Sequence, residues 1–93
     1  MELADFFKAL GDNIRLRLVF ELADGAKNVG DLGDAVGVNQ PLVSHHLNLL
    51  RMLGVVNRER KGKQVYYSLT GKSGAKGISF NVGDSTVLIA RGK

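Results

Sequence analysis

A mainly α domain with a β-hairpin near its end, an α+β fold, is what the sequence predicts, and three observations predict it. Apolar residues recur at helical spacing in successive stretches up to Leu53. Gly37-Val38-Asn39 separates the last two of these stretches by a tight turn. After Gly54 the pattern changes to β-branched or alternating segments on either side of Lys61-Gly62-Lys63.

Leu3, Phe6, Phe7 and Leu10 fall at i, i+3, i+4, i+7 and form one apolar stripe on a first helix, which Gly11 ends. Asp12 is the N-cap of a second helix over roughly 13–24, with Asp24-Gly25 as its stop. Apolar residues surround most of that helix, and Arg17 with Glu21 forms an i, i+4 pair on its solvated strip. Asn28, with Asp31 three residues on, caps a third helix whose inward stripe is Val29, Leu32 and Val36. Gly33 inside it costs about 1 kcal/mol relative to alanine, which implies a second helix crossing closely there.

Asn39 caps the fourth helix, roughly 40–53, and Pro41 is tolerated in its first turn because the missing N–H would have had no partner. Helix, three-residue turn, helix is the spacing of a helix-turn-helix. Leu42, Val43, His46, Leu47, Leu50 and Leu53 point inward. Gln40, Pro41, Ser44, His45, Asn48 and Arg51 share the outer face, which is short, polar and free of acids, as a surface approaching phosphates requires. The segments 55–60 and 64–69 then form a hairpin with a glycine turn and a basic tip of Arg58, Arg60, Lys61 and Lys63. A hairpin after a recognition helix makes the whole a winged helix-turn-helix.

Charge follows this division. The chain of 93 residues has a formal net charge of +4. Residues 1–53 hold five basic and seven acidic side chains, whereas 54–93 hold eight basic and two acidic. Positive charge concentrated in the second half points to a polyanionic partner. Ninety-three residues, 44% hydrophobic and 24% charged, suffice for one small core and exclude a two-lobed enzyme. The absence of cysteine removes disulfides, thiolate metal sites and cysteine nucleophiles, and suits a reducing cytoplasm. No apolar run approaches the roughly 18 residues of a membrane helix, and the acidic start Met1-Glu2-Leu3-Ala4-Asp5 is unlike a signal peptide.

Three regions are expected: a DNA-binding domain over 1–69, a mobile glycine-rich linker over 70–77, and a C-terminal extension over 78–93 that forms a second β-hairpin. Gly71-Lys72-Ser73 echoes the end of a phosphate-binding loop, but Tyr66 stands where that loop needs its first glycine. Ser44 and His45 do not face each other on one helix turn, so no catalytic site is expected.

The residues resemble the ArsR family of bacterial winged-helix repressors over about 6–69. The resemblance rests on Phe7 to Leu18, on Asp31-Leu32 with Gly37 to Leu50, and on Gly54-Val55-Val56 followed by Arg60 to Leu69. It implies a symmetric homodimer on palindromic operator DNA, released by an inducer that the sequence does not identify. It implies that Gln40, Ser44, His45 and Asn48 read the major groove, that Arg60, Lys61 and Lys63 are wing contacts, and that His46 is a structural histidine. Metal-sensing members carry a Cys-x-Cys pair where this chain has Asn28 and Gly30, and others use a C-terminal histidine, of which there is none after His46. No metal or other cofactor is therefore expected. The family dimerises through its first and last helices. Leu3, Phe6, Phe7 and Leu10 are accordingly expected to pair across the dimer, with strand contacts added by 78–90. Two other readings of the residues are a protein-interaction module and an architectural protein coating DNA without sequence preference. Gln40, Ser44 and Asn48, which form directional bonds with base edges, favour specific readout.

Overall fold

The computed structural model describes residues 1–90. Four helices come first: α1 Leu3–Leu10, α2 Asn13–Glu21 with a 3-10 turn at Leu22–Asp24, α3 Val29–Val36 and α4 Gln40–Met52. A two-residue strand, β1 Lys27–Asn28, precedes α3, and β2 Val56–Lys61 and β3 Gln64–Leu69 follow α4. Then come β4 Lys72–Gly74, β5 Gly77–Val82 and β6 Ser85–Ile89. None of the described helices is long and apolar enough to cross a membrane.

The helix starts are fixed by their caps. The side chains of Asp12, Asn28 and Asn39 accept hydrogen bonds from the backbone N–H groups of Arg15, Asp31 and Leu42 at 3.0, 2.8 and 3.0 Å. Gly37 ends α3 in the left-handed conformation, φ +74°, and both Gly37 and Val38 donate back to the Gly33 carbonyl. Gly33 marks the expected close crossing: a Cβ there would sit 3.1 Å from the Val38 carbonyl oxygen and 3.7 Å from Val43 Cγ2. The pair expected between Arg17 and Glu21 does not form. Glu21 instead bonds Lys27 at 3.2 Å, because β1 carries the lysine back alongside α2.

Two antiparallel sheets complete the fold. The first has the order β1-β3-β2, with Lys61 opposite Gln64 across the turn of the wing. The second has the order β4-β5-β6. One core runs through both: Phe6, Leu18, Leu32, Leu47, Leu50 and Val55 are fully buried in the same cluster as Ile78, Phe80 and Val82. Phe6 and Phe80 lie 5.1 Å apart between ring centroids.

The mobile linker is therefore corrected. Lys72–Gly74 is a strand, and the Thr70 hydroxyl donates to the Gly54 and Val55 carbonyls at 2.7 and 3.0 Å, fastening the segment to the end of α4. Two of its three glycines, Gly71 and Gly77, serve close packing, whereas Gly74 faces open space. A Cβ on Gly71 would meet the Ser79 carbonyl oxygen at 2.6 Å and the Phe80 ring at 2.7 Å, and one on Gly77 would collide with the Ile89 carbonyl oxygen. The hairpin expected after it is present as β5 and β6. Arg91, Gly92 and Lys93, the end of the expected extension, lie outside the described residues.

The α1 stripe also divides. Phe6 and Leu10 are buried in the protomer's own core, whereas Leu3 and Phe7 are 39% and 53% exposed. Two adjacent rows of one helix meet different surroundings, because the second sheet covers the Phe6 side. Phe6 and Leu10 thus have no surface to offer a second copy in this conformation, and Leu3 and Phe7 do.

Candidate nucleic-acid interface

α4 presents its two faces as its sequence divides them. Val43, His46, Leu47 and Leu50 are buried, while Gln40, Pro41, Ser44, His45, Asn48 and Arg51 are all exposed. Toward the C-terminal end Arg51 Nη2 donates to Asn48 Oδ1 at 2.8 Å, and Asn48 Nδ2 lies 3.6 Å from Met52 Sδ. The asparagine amide is held in one orientation by its arginine neighbour.

Strand alternation separates the wing's cations, which their closeness in sequence groups at one tip. Arg58 and Arg60 stand opposite Tyr67 and Val65, on the side of the hairpin turned toward the core. With Arg51, Gly54, Val56 and Asn57 they line a concavity of about 490 Å³ at the junction of α4 and the wing. No acid lines it. Lys61 is on the other side, 3.6 Å from Glu59 and 5.7 Å from the Tyr66 ring centroid. That exposed ion pair is weak by nature. Lys63, beyond the turn, closes a second cleft of about 320 Å³ with Gln64, Asn28, Gln40 and Ser44. Gln64 and Asn57 were missed in the sequence, where only their positions beside Lys63 and Arg58 signal them.

Besides its buried apolar face, α4 is tied to the first two helices by a part-buried polar latch. The Arg15 side chain donates through Nε to the Ala9 carbonyl at 2.7 Å and through Nη1 to His46 Nδ1 at 3.1 Å. An arginine only donates, so Nδ1 accepts and the imidazole is neutral, with its proton on Nε2. One guanidinium thereby ties the end of α1 and the start of α2 to the middle of α4. His46 is buried, and its ring centroid lies 5.6 Å from that of the exposed His45. No group of three or more His, Cys, Asp or Glu is placed to hold a metal ion among the described residues.

Burial above all holds the His46 imidazole below its usual pKa; the Arg15 guanidinium and His45 push the same way, and Asp12 opposes them. Between the folded value and about 6.5 the unfolded chain binds more protons, so stability falls as the pH drops through that window and no further below it. The thermal midpoint should therefore drop between about pH 7.5 and about pH 5.5. His46→Gln, which keeps an acceptor for Arg15 but does not titrate, should lose less over the same interval. Equal losses in both proteins would contradict the latch.

Comparison with known proteins places this architecture. The model of "Bacterial regulatory protein, arsR family" matches residues 12–58. The chain is 39% identical over 75 residues to the biofilm growth-associated repressor of Xylella fastidiosa, an alignment covering 81% of this chain and 66% of that protein. It thus spans just under two thirds of that relative's length. Among solved structures, it superposes on the transcriptional repressor BigR from Xylella fastidiosa with a TM-score of 0.70 at 40% identity, over 73% of this chain and 69% of the other. On the homodimeric winged helix-turn-helix DNA-binding domain from Mycobacterium bovis, the TM-score is 0.70 at 33% identity, over 74% of this chain and 64% of that one. On the family match over half of its length and the identity to that repressor, this chain belongs to the arsR family of bacterial regulatory proteins.

Proposed function

We propose that this protein is a homodimeric, sequence-specific transcriptional repressor that acts in the cytoplasm on double-stranded DNA carrying an inverted repeat. The observation that carries the reading is the outer face of α4, which is exposed along its whole length, rich in hydrogen-bonding side chains and free of acids. Relatives described as repressors and a homodimeric structural neighbour support it. In this reading Gln40, Ser44, His45 and Asn48 meet base edges in the major groove, with Pro41 beside them on the same face. Arg51, Arg58 and Arg60 take backbone phosphate at the base of the wing, and Lys61 and Lys63 take it at the tip. Leu3 and Phe7 belong to the dimer surface. All of these proposed DNA contacts lie within 1–69, and the second sheet shares the core of that segment.

Substitutions separate base readers from phosphate ligands. Ser44→Ala or Asn48→Ala should narrow the affinity gap between the preferred site and random duplex by about 1–3 kcal/mol. Lys61→Ala with Lys63→Ala should weaken both duplexes alike and flatten the dependence on salt. Titrations of labelled duplex at two or more salt concentrations read both quantities. An unchanged gap in the α4 variants would overturn the assignment of α4 as the reader.

A further inference from the structure

Each of the two sheets has two edges, and three of the four edges are protected against adding a strand. β1 is two residues long and runs straight into α3. β2 carries Arg58, Glu59, Arg60 and Lys61 in six residues. β4 is three residues long, begins with Lys72 and ends on Gly74. Short edges and edge charges, lysine above all, are the usual means by which a monomeric sheet stays unextended. β6 has none of these. Ser85–Ile89 holds no charge, no proline and no glycine, and three of its five residues are β-branched. Among the described residues no strand pairs with its outer side.

Its side chains are also incompletely covered. Val87 and Ile89 stand opposite Phe80 and Ile78 and share their core-facing side. Phe80 and Ile78 are 3% and 1% exposed, while Val87 and Ile89 are only half-buried. The core is therefore open along this edge. On the opposite side Leu88 is 55% exposed.

We propose that β6 pairs antiparallel with β6 of a second copy of this chain, joining the two three-stranded sheets into one sheet of six. This rests on the homodimer reading and names the surface that makes it. The strand is self-complementary: a two-fold axis at Val87 sets Val87 opposite Val87, Thr86 opposite Leu88 and Ser85 opposite Ile89, with no charge facing a charge. Directly opposite residues share a face, so the half-buried Val87 and Ile89 of both copies extend a common apolar layer. An axis perpendicular to the sheet also keeps both helical layers on the same side, as two recognition helices meeting one DNA require. The surface continues onto α1. Phe7 packs edge-on against Phe6, Phe6 touches Phe80, and Met1 and Leu3 line one cleft with Val82 and Gly83. Met1, Leu3 and Phe7 are the exposed apolar side chains of that flank.

The test uses charge at the two exposed outer-face positions, where substitution leaves the core intact. Sedimentation equilibrium of the full chain should show a dimer. Thr86→Lys combined with Leu88→Lys sets like charges opposite each other twice and should raise the dimer dissociation constant roughly tenfold or more. Thr86→Lys combined with Leu88→Glu sets opposite charges face to face and should restore it. Amides of Ser85–Ile89 in the unmodified protein should gain protection from hydrogen exchange as its concentration rises, a readout that needs no variant. A dimer indifferent to both variants, with β6 amides equally exchangeable at all concentrations, would overturn the edge pairing and leave the homodimer standing on α1. A chain monomeric at every concentration would overturn both.

Discussion

Phe80→Ala should destabilise the whole protein by about 3–5 kcal/mol, the usual cost of emptying a buried phenylalanine site. A domain of this size has about 5–15 kcal/mol in total, so much of the folded population would vanish on warming. Phe80 lies in the second sheet, yet it is 3% exposed and packs on Phe6 of α1. Denaturant unfolding followed by helical circular dichroism reads the effect. The midpoint should fall even though the substitution is about 30 residues beyond the last helix. An unchanged helical midpoint would mean that the tail folds apart from the helices.

The second large effect is on binding. Arg58→Ala with Arg60→Ala should lower affinity for every duplex roughly a hundredfold, taking about 1.5 kcal/mol for each charge-assisted bond to phosphate. The logarithmic salt slope should shrink by about 0.9 for each phosphate that is no longer neutralised. Both side chains are exposed and neither pairs with an acid among the described residues, so the fold should survive their removal. Specificity should be retained, because neither arginine lies on the outer face of α4. A weakening confined to one preferred site would contradict their role as phosphate ligands.

What could be read from the sequence was local. Asp12, Asn28 and Asn39 were legible as caps because a cap acts within three residues, and all three make the expected bond. The faces of α4 were legible because its helical period is undisturbed from Gln40 to Met52. What failed depended on distant chain. β1 is too short to show a pattern and exists through its pairing with Tyr66 and Tyr67, about forty residues later. Gly71 and Gly77 read as flexibility, since nothing nearby in sequence shows that Phe80 and Ile89 press against them. Leu3, Phe6, Phe7 and Leu10 form one stripe by spacing, but only the fold decides that the second sheet claims Phe6. The role of Arg15 was hidden for the same reason, its imidazole partner being 31 positions away.

The function proposed for this chain turns on the acid-free outer face of α4 reading DNA sequence as part of a two-fold dimer. The decisive experiment is selection of bound duplexes from a random-sequence pool at physiological salt, followed by sequencing of the survivors. Enrichment of an inverted repeat, with half-sites about one helical turn apart, is the expected result. Recovery of bound duplex without any enriched sequence would contradict it.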